Sequence, residues 1–127
     1  MDIRSINPLT LAYLGDGVYE LYIRKYLIHK NVIYVKDLQE EAIKYVSAKA
    51  QADFLNKLLD NNLLTEDEIN IMKRARNYKT THHPKNCDIL TYKHSTAFEA
   101  IIGYLELSNK QNRIEEIMNF ILEDKIC

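Results

Sequence analysis

Residues 8–28, PLTLAYLGDGVYELYIRKYLI, are apolar on nearly every face of a helix, and this run constrains the chain more than any other. Asn7 and Pro8 supply an N-cap and a first helical residue with its φ already set, so the run starts as a helix. Apolar residues on several faces need more than one covering surface. Such a helix lies in the centre of a domain or divides its faces between the core and a partner subunit, and at this chain length the second arrangement is expected. In the middle of the run sits Asp16, between Gly15 and Gly17. A helical glycine costs about 1 kcal/mol relative to alanine, and an unpaired buried carboxylate costs more, so two unfavourable choices coincide. Local rules broken together mark function or close packing.

The rest of the chain is helical in period. From Val35 to about Leu59, the residues Leu38, Ala42, Val46, Ala50, Phe54, Leu55 and Leu58 recur at helical steps and predict one amphipathic helix. Another opens with a capping box, Thr65 with Glu68, carries basic residues in its last turn, and ends near Asn77 or Tyr78. Residues 79–90 contain a proline and no sustained period, which predicts a loop. Helical spacing resumes through Phe98, Ile101, Ile102 and Leu105, and a last amphipathic helix follows the polar break Ser108-Asn109-Lys110. No strand signal or repeat stands out. The expected fold is all-α, with about five main helices in one domain over residues 1–127.

A formal net charge of -1 excludes a globally basic nucleic-acid binder but leaves room for a local patch. Two cysteines, Cys87 and Cys127, make neither a disulfide framework nor a metal pair, and fit a reducing cytoplasm. The first residues lack a signal pattern, and Asp16, Glu20, Arg24 and Lys25 interrupt the apolar run, which argues against a membrane span.

A second acid repeats the Asp16 anomaly: Glu99 stands in STAFEAIIGYLEL between Phe98 and Ala100. If the two helices pack side by side, Asp16 and Glu99 together can hold a divalent cation. Magnesium suits hard oxygen ligands with no accompanying His or Cys set. The competing reading for each acid is a solvent-facing or ion-paired side chain. That reading wins for Glu20, which stands four residues before Arg24. Lys73, Arg74, Arg76, Lys79, Lys85 and Lys93 form a basic stretch opposed only by Asp88, able to grip phosphates, although bases in a last turn also complement the helix dipole. Adjacent His82 and His83 with Cys87 and Asp88 make a poor tetrahedral zinc set. Tyr13, Tyr19, Tyr22 and Tyr26 recur at packing intervals and are read as core or interface.

At these residues the sequence resembles a known family. LAYLGDGVYELYIR resembles the ribonuclease III signature, and STAFEAIIGYLEL its second acidic motif. VSAKAQA at 46–52, KRARNYK at 73–79 and PKNCDILTYKHSTAFEA at 84–100 further resemble the bacterial subgroup called Mini-ribonuclease III. The likeness runs from about Leu9 to the last helix.

The resemblance implies an all-helical endonuclease that cuts double-stranded RNA as a homodimer in the cytoplasm, with Asp16 and Glu99 as buried magnesium-binding carboxylates. The glycines beside Asp16 would then let helix backbones approach. It further implies a target in precursor large-subunit (23S) ribosomal RNA and a possible ribosomal protein partner. No residues are left for a double-stranded RNA-binding domain, so Lys73, Arg74, Arg76, Asn77, Lys79 and Lys85 are expected to carry much of the RNA grip. Full-length relatives carry two further acids where this chain has Ala12 and Thr96, so water and the RNA phosphate would complete the metal's coordination. The alternative is a helical dimer that binds duplex RNA or a ribosomal partner without cutting it.

Overall fold

The computed structural model describes residues 1–79 and 84–122. After a 3₁₀ turn (Ile3–Ser5) come α1 (Pro8–His29), α2 (Val35–Val46), α3 (Ala48–Asp60), α4 (Glu66–Arg76), α5 (Ile89–Leu107) and α6 (Gln111–Leu122). The described residues contain no strand, as the periodicity predicts, and none of their helices is long and apolar enough to cross a membrane.

The helix count exceeds expectation by one because the stretch from Val35 to Leu59 breaks at Ser47. This residue is extended (φ -63°, ψ 154°): its N–H caps α2 at the Ile43 carbonyl, and its Oγ accepts the Ala50 N–H at 3.2 Å to start α3. A serine hydroxyl competes with the helical ladder, and here the competition succeeds. On α3 Gln51, Leu55 and Leu58 are buried, whereas α2 has no buried residue.

The other caps follow the sequence. Asn7 accepts the Leu9 N–H at 2.8 Å, and the Thr65–Glu68 capping box is complete. Asn31, Asn62 and Asn109 end α1, α3 and α5 in the left-handed region, at φ 65°, 53° and 57°. In each case the next N–H reaches back across the last turn, Val32 to Leu27, Leu63 to Leu58 and Lys110 to Leu105, which satisfies orphan carbonyls. Asparagine serves where glycine is the commoner choice.

The enclosed helix is α5. Its residues from Ser95 to Leu105, Glu99 apart, are all buried against α1, α3 and α4. By contrast α1 divides its faces: Leu11, Tyr19 and Ile23 are buried, while Tyr13 is 84% exposed and Leu21 and Ile28 stand out with it. The tyrosines divide likewise, with Tyr19 meeting Phe98 edge-on at 5.1 Å and donating to the Tyr45 carbonyl at 2.8 Å. Among the described residues one charged pair is enclosed. Glu68 of α4, 2% exposed, takes two 2.8 Å bonds from Arg113 of α6 and so ties the last helix to the core.

Candidate active site

Close approach of α1 and α5 creates the site. A Cβ on Gly15 would overlap the Glu99 carbonyl oxygen, and one on Gly103 the Leu11 carbonyl oxygen, so only glycine allows the two backbones to touch. Gly17 differs: a Cβ there would meet nothing within 4 Å, so the expectation that both glycines serve close packing holds only for Gly15.

The crossing brings the Asp16 and Glu99 carboxyls within interaction range of each other. Asp16 is exposed, which corrects the expectation that it is buried. Gly15 holds the inward position, and one helical step of about 100° turns Asp16 towards the surface. Glu99 is the half-buried partner. Burial, then the hydrogen bond and negative charge of Asp16, push its carboxyl up to about 9, against an opposing bond from Gln51.

Gln51 is a residue that sequence reasoning missed. It is 1% exposed; its Oε1 accepts from Ser95 Oγ at 2.6 Å and its Nε2 donates to Glu99 Oε2 at 3.4 Å. Ser95 and Glu99 lie one turn apart on the same face of α5, so one amide from α3 spans both. Both residues fall inside the motif stretches quoted above. The signal was their spacing: Gln51 stands four and seven residues before Leu55 and Leu58, a polar side chain on the apolar face of α3. Ala12 and Thr96 are buried beside the pair, and among the described residues no three His, Cys, Asp or Glu side chains converge.

Glu20 forms the expected pair with Arg24 at 2.8 Å. Of the basic stretch, Lys73, Lys79 and Lys85 are exposed, and half-buried Arg76 donates to Asn77 Oδ1 at 3.3 Å. Arg74 is differently employed: its guanidinium donates to the carbonyls of Arg4 and Ile6, which pins the 3₁₀ turn to α4. Nearby, Asn7 Nδ2 donates to the Tyr78 hydroxyl at 3.3 Å, which ties the end of the basic turn to the start of α1. Asp88 caps α5 through the Thr91 N–H at 2.9 Å, a structural use that leaves the imagined zinc set without it; His82 and His83 lie outside the described residues. A cleft of about 800 Å³, lined by Lys49, Ala52, Asn56, Leu90, Thr91 and His94 among others, opens between α3 and the start of α5.

The crossing thus presents a carboxyl pair with an amide behind it, and the chain carries exposed basic side chains at the end of α4 and in the residues that follow. The comparisons with known proteins are specific. Residues 9–110 match the model of the ribonuclease III domain. A Mini-ribonuclease 3 of Brevibacillus brevis is 50% identical over 117 residues, covering 92% of this chain and 86% of the relative. The Mini-ribonuclease 3 of Streptococcus pneumoniae is 42% identical over 123 residues, covering 97% and 96%. A crystal structure of a Fusobacterium nucleatum protein, 36% identical, superposes with a TM-score of 0.86 over 98% of this chain and 99% of that one. The chain belongs to the ribonuclease III family, and it is an endoribonuclease.

Proposed function

We propose that this chain is a magnesium-dependent endoribonuclease of the cytoplasm that cuts double-stranded RNA as a homodimer, acting in the maturation of precursor large-subunit (23S) ribosomal RNA. The observation that carries the site assignment is the meeting of Asp16 and Glu99 across the α1–α5 crossing. Two carboxyls brought together are a fitting donor set for a hard divalent cation, and among the described residues no third His, Cys, Asp or Glu joins them. Asp16 and Glu99 would hold the ion. When bound, it supplies an activated water and positive charge opposite the scissile phosphate.

The chain's own residues do the rest. Asp16, at the surface, meets the substrate side of the site, and Glu99 anchors the inner side. Exposed Lys73, Asn77, Lys79 and Lys85, with half-buried Arg76, would grip the phosphate backbone. A duplex of A-form RNA offers shape, phosphates and 2′-hydroxyls rather than readable base edges, so backbone contacts serve this substrate. The homodimer draws support from the outer face of α1, where Tyr13, Leu21 and Ile28 stand exposed, and from an apolar groove of about 630 Å³ between α1 and α2. A second copy covering that face would give two sites, one for each strand. A ribosomal protein partner that presents the precursor fits the same reading.

Incubation with an end-labelled RNA duplex and its DNA counterpart, in magnesium and in EDTA, tests this function. Cutting of RNA alone, and only with magnesium, is expected; cutting of both duplexes, or cutting in EDTA, would contradict it.

A further inference from the structure

We propose that Gln51 is a positioning residue of the active site, locked by Ser95, which holds the Glu99 carboxylate in place to receive the metal. The inference rests on the reading of Asp16 and Glu99 as metal ligands, and goes beyond it by giving a role to side chains outside the carboxyl pair.

Three observations converge. Gln51 is 1% exposed and Ser95 7%, so neither amide nor hydroxyl has bulk water as an alternative partner. The Ser95 hydroxyl donates to Gln51 Oε1 at 2.6 Å, and this fixes which end of the amide faces away from it. The other end, Nε2, donates to Glu99 Oε2 at 3.4 Å. In the ionised form that would hold a cation Glu99 only accepts hydrogen bonds, so it can use the Nε2 end of the amide and not the oxygen. Without the Ser95 bond nothing in this network would prevent the amide from turning its oxygen towards Glu99.

Chemistry explains why the residue is a glutamine. A lysine would place a fixed positive charge where the cation is wanted, and a glutamate would add a third negative charge at a buried position. A neutral amide orients Glu99 without competing for the metal, as ligand-orienting partners behind metal sites do. The backbone cooperates, because the break at Ser47 sets the direction of α3 and the spacing of Ser95 and Glu99 sets both partners on one face of α5.

The test uses Gln51→Met, which keeps side-chain length and removes both amide groups, and Ser95→Ala, which removes only the lock. Binding of Mn²⁺ to the RNA-free protein, read from the electron paramagnetic resonance of free Mn²⁺, is expected to weaken about 10-fold in each. In magnesium, kcat on an RNA duplex is expected to fall about 10- to 100-fold with KM unchanged. Ser95→Ala carries the test should Gln51→Met fail to fold. A lowered Tm with wild-type Mn²⁺ affinity and kcat would make the pair merely structural and overturn the proposal. Glu99→Gln is measured alongside. Wild-type Mn²⁺ binding by Glu99→Gln would overturn the metal reading itself; loss there with wild-type binding by Gln51→Met would overturn only the role of Gln51.

Discussion

Gly15 of α1 and Gly103 of α5 face each other across the helix crossing, and a Cβ on Gly15 would come within 2.9 Å of the Gly103 nitrogen as well as overlapping the Glu99 carbonyl. The acid pair therefore depends on a backbone contact made one residue from Asp16. Gly15→Ala or Gly103→Ala forces the helices apart and is expected to cost about 3 kcal/mol, the upper part of the range for overpacking, since backbone cannot yield as a side chain can. Gly17→Ala, with open space around it, gains about 0.5–1 kcal/mol of helix propensity. Denaturant unfolding of the three variants measures the contrast, and equal effects would contradict the packing.

A second prediction concerns the enclosed pair of Glu68 and Arg113. Burial alone would raise the Glu68 carboxyl, but hydrogen bonds from Arg113 and from Thr65 hold it below the usual carboxylate range. A depressed pKa means that the folded state keeps the charge where the unfolded chain begins to lose it. The contribution is therefore complete above about pH 4.5, the ordinary value, and is lost as pH falls through the lower folded value. Glu68→Gln should flatten this acid-side slope of stability. Arg113→Ala strands a buried charge and should cost about 3–5 kcal/mol at pH 7; chemical denaturation across pH 2–7 checks both.

The fold was legible wherever local chemistry settles the backbone. Asn7-Pro8 and Thr65 with Glu68 announce helix starts that side chains then make, and the 3.6-residue period picks out the buried Phe98, Ile101, Ile102 and Leu105 of α5, although the same period leaves α2 without a buried residue. Ser47 was not legible. Apolar spacing continues through it, and only the packing of α3 on α5 decides that its hydroxyl caps a new helix. The site divided along the same line. Asp16 and Glu99 show as acids in apolar runs, while the exposure of Asp16 follows from a neighbouring glycine turned inward, and Gln51 is an ordinary polar residue until the tertiary fold encloses it. Arg74 reads as one more base in a basic turn, yet its guanidinium is spent on two backbone carbonyls seventy and sixty-eight residues away.

That division of labour predicts different consequences within one basic stretch. Replacing Lys73, Lys79 or Lys85 by Gln should weaken duplex RNA binding and lower the salt slope of the affinity by roughly one for each lost phosphate contact, with little change in Tm. Arg74→Ala should lower Tm by releasing the 3₁₀ turn. Filter binding over a salt series, with thermal unfolding in parallel, separates the two effects.

Proton uptake distinguishes the carboxyl pair from ordinary surface acids. With its carboxyl pushed up to about 9, Glu99 is protonated at pH 7 in the metal-free fold and ionised in the unfolded chain. Its contribution to stability is fullest below about 4.5 and is lost as pH rises to about 9, so the metal-free protein should weaken across that window. A cation held by Asp16 and Glu99 would displace that proton. Calorimetric titration with magnesium at pH 7 in two buffers of different ionisation enthalpy should show about one proton released per ion.

The most direct test of the account is single-turnover cleavage of an end-labelled RNA duplex in magnesium by the wild-type chain and by Asp16→Asn, with duplex affinity measured separately in EDTA. The account predicts a loss of cleavage on the order of 10³-fold with the affinity and the circular-dichroism spectrum unchanged, because the amide keeps the shape of the side chain and removes the charge that holds the metal. Cleavage by Asp16→Asn at the wild-type rate would contradict it and remove the carboxyl pair from the reaction.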